Sequence, residues 1–259
     1  MKNLILTCAL VLCYFLTSGQ TLTQNINNRL LQKKNLTGTV FSLSLDDFDF
    51  SPLFTNTDNS VIYGFIGDHY QRIRIKFITV TKKQSSPYIY LVYGKSMVKN
   101  NICEFKGTIT ISNIRKYKTI SYGVDDEYKN KGIKGQYAIL GNYNFSENET
   151  QPHSGTFKGT FQSNLYLDNS NKVHYDDIDN VSDGYTNNQF IGQWISYKTN
   201  IIKNCNWGDF RIPNSGDLDI GAGEFSPNDK YFKFGWQSLR DLMSPNNKKA
   251  KQIEEAVWW

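Results

Sequence analysis

The chain has 259 residues, a formal net charge of +5, 14% aromatic residues and only 3 Met. The charge is mild and no long basic run supplies the clustered footprint that nucleic-acid binding needs, so no nucleic-acid partner is expected. Abundant Tyr, Phe, Ile, Thr, Gly and Asn, with little Ala and Met, favour strands joined by turns.

The first residues read MKNLILTCALVLCYFLTSG. Lys2, an apolar run from Leu4 to Leu16 and small residues ending at Gly19 follow the order of a secretory signal peptide. The run falls short of the roughly 20 residues that span a bilayer. Residues 1–19 are therefore expected to be cleaved after Gly19, with export to the periplasm or the extracellular space. A lipoprotein reading would acylate Cys13, but Leu12 precedes it and Cys13 lies within the apolar run. No later stretch is long and apolar enough for a transmembrane helix.

Residues 20–35 are polar and read as a flexible segment. Alternation begins at TGTVFSLSL (37–45), a strand, and a loop containing Pro52 leads to VIYGFI (61–66). YQRIRIKFITVT (70–81) places Ile73, Ile75 and Phe77 on one face and Arg72, Arg74 and Lys76 on the other. Ile78 and Val80 fall out of phase, which predicts a bulge or a second buried face there. The cationic face reads as a solvated or charge-protected strand surface; anionic polysaccharide or lipid headgroups are the alternative partners.

YIYLVYG (88–94) is apolar on both faces, as in a central strand. ICEFKGTITIS (102–112) sets Cys103, Phe105, Gly107, Ile109 and Ile111 on one face, so Cys103 is expected to point inward. GVDDEYKNKGIKG (123–135) is the main internal loop. Strands follow at 135–145, 155–168, 172–178 and 189–199, and KYFKFGW (230–236) reads as the last strand. Asn246 or Asn247 can cap a short helix that aligns Ala250, Ile253 and Val257.

Phe-Lys-Gly-Thr occurs at 105–108 and 157–160, with Phe190-Ile-Gly-Gln as a looser relative. Strand Gly permits close packing and tight curvature, which a closing sheet needs. The expected fold is all-β: an antiparallel, strongly curved sheet or barrel, lipocalin-like or a sandwich, with a short C-terminal helix. It would occupy residues 36–236, with 36–124 and 135–236 as possible halves and 237–259 as a helical tail. Cys8 and Cys13 would leave with the leader. Cys103 and Cys205 would form a disulfide, the alternative being two buried thiols.

Cys205–Trp236 concentrates five Gly, two Pro and five acidic residues. It reads as a shaped loop on a rigid scaffold, where function tends to sit. Asp217, Asp219 and Glu224 form an oxygen-rich candidate calcium site, although Ala222 and Asn228 stand where an EF-hand places Gly and Glu. The same acids are the candidates for general acid–base hydrolysis. Trp207 and Trp236, with Asp209, Arg211 and Asn214, are the candidate ligand platform, with Arg211 able to clamp a carboxylate. Trp194 reads as core. His69, His153 and His174 have no metal-ligand spacing, and no Gly-x-Ser-x-Gly elbow, P-loop or dinucleotide fingerprint is present.

The stretches FIGDHYQRIRIKFITV, VYGKSMVKNNICEFKGTITI, NNQFIGQW and CNWGDFRIPNSGDLDIGAGEFSPND resemble uncharacterised secreted proteins of Bacteroidota. That resemblance implies export and no known activity. Gly192-Gln193-Trp194 is similar to the lipocalin Gly-x-Trp, but it lies late in the chain without other lipocalin motifs, so no ligand residues are carried over. The expected function is an exported, non-enzymatic β-protein binding a small molecule, glycan or envelope partner. A hydrolase using the acidic loop, with or without calcium, and a structural or cell-interaction protein are the alternatives.

Overall fold

The computed structural model describes Leu36 and residues 47–259. The expected leader, the polar segment before Leu36 and the strand over 37–45 lie outside the described residues. Among the described residues nine strands form one antiparallel sheet: β1 (Ile62–Ile66), β2 (Gln71–Lys82), β3 (Ile89–Val98), β4 (Asn101–Lys116), β5 (Ile133–Glu147), β6 (Gly155–Asp168), β7 (Val173–Tyr175), β8 (Asn187–Ser196) and β9 (Ile202–Asp209). The order is β5-β4-β3-β2-β1-β9-β8-β6-β7, and β5 also pairs with β6. Eight strands therefore close on themselves, and the short β7 continues the line of β8 along β6. The result is a single curved, ring-like sheet, not a sandwich of two. It is less regular than a clean barrel, because the register breaks in four pairings.

One of those breaks lies between Phe77 and Thr79, where the phase change in the sequence predicted a bulge. Curvature elsewhere rests on the strand glycines. Gly159 and Gly192 are register partners on β6 and β8. A Cβ on Gly159 would stand 2.1 Å from Ile191 O, and one on Gly192 would stand 2.2 Å from Lys158 O. The backbones meet there at a distance that only glycine permits, and the Tyr143 hydroxyl packs into the same space.

Inward phase fills the ring with aromatic side chains. Phe105, Phe145, Phe157, Phe161, Phe190 and Trp207 are buried, and Phe54 meets Phe77, Phe161 and Phe190 edge-on. Each such burial contributes about 1.5–3 kcal/mol. One end of the ring is stoppered by the short helix α1 (Pro52–Thr55), which buries Leu53 and Phe54. Asn188 Nδ2 donates to Leu53 O at 2.8 Å, the Phe50 amide donates to the Tyr90 hydroxyl, and Lys82 Nζ donates to Phe48 O, tying that segment to three strands.

Several expectations change. Residues 230–236 are not a strand: Asp229–Phe234 is a 3-10 turn. The last strand is β9, whose Asn-rich sequence hides the inward pair Cys205 and Trp207. β3 is not buried on both faces, since Leu91 is 49% exposed. Two short helices, α2 (Gln237–Asp241) and α3 (Lys248–Glu254), close the chain. Asn247 does precede α3, but its side chain makes no cap hydrogen bond, and of the expected apolar stripe only Ala250 is buried.

The cationic face of β2 is not solvated. Arg72 makes two hydrogen bonds of 2.7 and 2.6 Å to the Glu254 carboxylate, and Arg74 pairs with it at 3.1 Å. Burial works to raise the Glu254 pKa, yet the two guanidinium groups outweigh it and hold the carboxyl below its ordinary value. The C-terminal segment is thus strapped across the outer wall.

Candidate ligand-binding cavity

Residues 210–236 leave β9 and wrap the outside of β1 and β2. Phe65, Ile212, Leu218 and Trp236 form a second small core there. Trp236 is fully buried, donates from Nε1 to Tyr70 O at 2.7 Å and lies beneath the Arg72 guanidinium. Trp207 is 2% exposed inside the ring, stacked on Phe190. Neither Trp offers a face to a ligand, which corrects the expected aromatic platform.

The polar members of that platform also have internal roles. Asp209 is buried at the stoppered end, where its Oδ2 accepts from Tyr175 Oη at 2.8 Å, Asn188 Nδ2 at 2.7 Å and Thr57 Oγ1 at 3.2 Å. Burial pushes its pKa up to about 7, against the pull of those three donors. Asn214 lies in a turn with φ of 54°, facing a shallow polar depression with Asn204 and Asn206.

Arg211 explains the acidic loop. Its Nε donates to Asp219 Oδ2 at 2.8 Å, and its two terminal nitrogens reach the carbonyls of Gly221, Ala222 and Gly223. Asp219 Oδ1 accepts from the amides of Gly221 and Ser226. Of the three acids expected around calcium, Asp219 is engaged instead by a guanidinium, together with three loop carbonyls. Asp217 is exposed and engaged by Lys230 and Tyr231, which lower its pKa, and Glu224 is exposed. The three acids do not converge, and no cluster of three or more metal-ligating side chains exists among the described residues. The hydrolase alternative needs Glu224 or Asp209 to face Asp217 and Asp219, but Asp209 is buried and committed to Tyr175, Asn188 and Thr57, and Glu224 is exposed.

Cys103 and Cys205 are both buried, and the structure shows no disulfide between them. Cys103 sits on β4 with its Sγ 3.6 Å from Pro152 O, and Cys205 sits on β9 within the main core. Burial raises the Cys103 pKa to about 11 and that of Cys205 well above its ordinary value. His174 meets Asp168 at 2.8 Å and stacks on Tyr166, a local contact across the β6–β7 turn.

The cavity lies elsewhere. Strand polarity puts the β1–β2, β3–β4, β5–β6 and β8–β9 turns together at the end of the ring opposite α1. Between them opens a cavity of about 680 Å³. Ile66, Ile73, Val98, Phe157 and Trp194 supply apolar walls, and Lys99, His153, Lys198 and Lys203 come from the turns and strand ends around the mouth. Phe157 continues downward into the aromatic core through Phe105 and Trp207, so the cavity has a floor.

Glu147, the last residue of β5, faces this cavity while only 5% exposed. Its Oε2 accepts from Trp194 Nε1 at 2.9 Å and from the Gly155 amide at 2.8 Å, and its Oε1 accepts from Ser96 Oγ. Burial raises its pKa, and these three donors oppose the rise. Trp194 is buried as the sequence implies, while Glu147 lies beyond the strand expected over 135–145. The available signal was phase: Gly141, Tyr143, Phe145 and Glu147 alternate on the inward side of β5, so a carboxylate follows three core positions.

The chain matches no protein-family model, no curated protein and no solved structure.

Proposed function

We propose that this chain is an exported, non-enzymatic binding protein that holds a small molecule in the open mouth of its β-ring, export resting on the leader-like residues 1–19. One observation carries the reading: a floored cavity of about 680 Å³, apolar on its walls, with a single buried carboxylate held by three donors. Small-molecule sites are concave, mostly apolar and about 300–1,000 Å³, with a few placed polar groups. The strands supply rigidity, and the four turns around the mouth supply the surface that meets the ligand. Glu147, held by three protein donors, fixes the positions of Trp194 and Ser96 in the cavity wall.

The test uses a neutral apolar dye, N-phenyl-1-naphthylamine, followed by fluorescence. Wild type should bind saturably. Val98→Trp, which places a large side chain in the cavity wall, should weaken binding roughly tenfold or more while leaving cooperative unfolding intact. A wild-type protein that binds no dye, or a variant that binds it equally well, would remove the reading.

A further inference from the structure

We propose that the ligand of this cavity is an amphipathic anion, with its apolar body against Ile73, Val98, Phe157 and Trp194 and its acidic head among the ammonium groups of Lys99, Lys198 and Lys203. This deepens the binding reading above and rests on it. Three lysines and one carboxylate line the cavity, so its charged groups are cationic on balance. The two signs are also separated in depth: Glu147 is buried below and committed to Ser96, Trp194 and Gly155, while all three lysines are exposed.

The lysines arrive from different parts of the mouth. Lys99 lies in the β3–β4 turn, Lys198 in the β8–β9 turn and Lys203 near the start of β9. None of them forms an ion pair with a described residue, whereas Lys95, Lys129, Lys131 and Lys230 each do. Lys203 Nζ instead stands 5.7 Å from the centre of the Trp194 ring, above the apolar wall. A ring of unpaired cations over a low-dielectric recess raises the local concentration of anions. Exposed ammonium groups alone would hold a bare anion weakly, so the apolar walls must supply most of the affinity. That combination selects an anion with a hydrophobic body. Ile201, 54% exposed and also lining the cavity, extends the apolar surface to the lip.

A matched pair of probes tests the proposal. N-phenyl-1-naphthylamine and 1-anilinonaphthalene-8-sulfonate share one ring system and differ by the sulfonate. The sulfonate should bind about tenfold more tightly at low salt, the order that three exposed charge pairs supply together. That advantage should shrink as salt is raised. In a Lys99→Gln, Lys198→Gln, Lys203→Gln variant it should vanish, with affinity for the neutral dye unchanged. Dodecanoate should displace both dyes from wild type. Equal affinities in wild type, or an advantage that survives the triple substitution, would overturn the anionic assignment and leave the cavity reading standing. Failure of both dyes to bind would remove both. Co-sedimentation with phosphatidylglycerol vesicles would identify a bilayer as the source of the amphiphile, and dodecanoate binding without sedimentation would identify solution; either supports the ligand class.

Discussion

Asp209 offers a sharp test of how the stoppered end is held. Its carboxylate is 2% exposed and receives hydrogen bonds from Tyr175, Asn188 and Thr57. Burial lifts its pKa from 3.8 to about 7. A raised carboxyl pKa means that the unfolded chain loses this proton first. The stability that Asp209 contributes is therefore complete below about pH 4 and is lost as pH rises through about 7. At about 1.4 kcal/mol per pKa unit, the gap is worth on the order of 4 kcal/mol. Asn at this position is neutral at every pH and can present its amide oxygen to the same donors. Urea unfolding of wild type and Asp209→Asn at pH values from 4 to 8 isolates the effect. Asp176, whose pKa burial pushes up to about 6, and Glu147 titrate in both proteins and cancel in the difference. Wild type should lose stability relative to the variant by several kcal/mol across that range, most steeply between pH 4 and 7. Two curves that remain parallel would refute the claim that this carboxylate is buried and hard to ionise.

Gly192→Ala should destabilise the ring by about 1–3 kcal/mol or more, because its Cβ would collide with backbone; calorimetry would register about 2–4 °C per kcal/mol. Glu254→Ala should cost about 3–5 kcal/mol, since Arg72 would be left buried without its partner. Limited proteolysis should then release the C-terminal segment well before the ring is cut. In protein beginning at Gln20, both thiols should resist Ellman's reagent in the native state and react fully in denaturant without reductant; a denatured protein with no reactive thiol would show that the cysteines are bonded.

The fold was legible because period 2 is a local property. Ile73, Ile75 and Phe77 on β2, and Cys103, Phe105 and Ile109 on β4, announce their inward face in the sequence, and the structure buries all six. The recurring strand glycines marked the curvature for the same reason. What was not legible depends on distant partners. Trp207 and Asp209 lie in a stretch dense with turn residues, yet β9 pairs on both sides and carries them inside. Arg211 looked like a clamp for an incoming carboxylate, and its fork is filled by Asp219 and three carbonyls of its own loop. The cavity could not be read at all, because its lining comes from eight strands, four turns and Phe234, whose adjacency exists only once the ring has closed.

The proposed ligand enters the mouth beside Trp194 and not the loop that carries Trp236. The five Trp indole N–H resonances in a nitrogen–proton correlation spectrum separate these alternatives, with Trp194 assigned by Trp194→Phe. On titration with 1-anilinonaphthalene-8-sulfonate, the Trp194 indole, which donates to Glu147 at 2.9 Å, should shift progressively while those of Trp207 and Trp236 stay in place. A fixed Trp194 resonance, with movement at Trp207 or Trp236, would place the ligand outside the mouth.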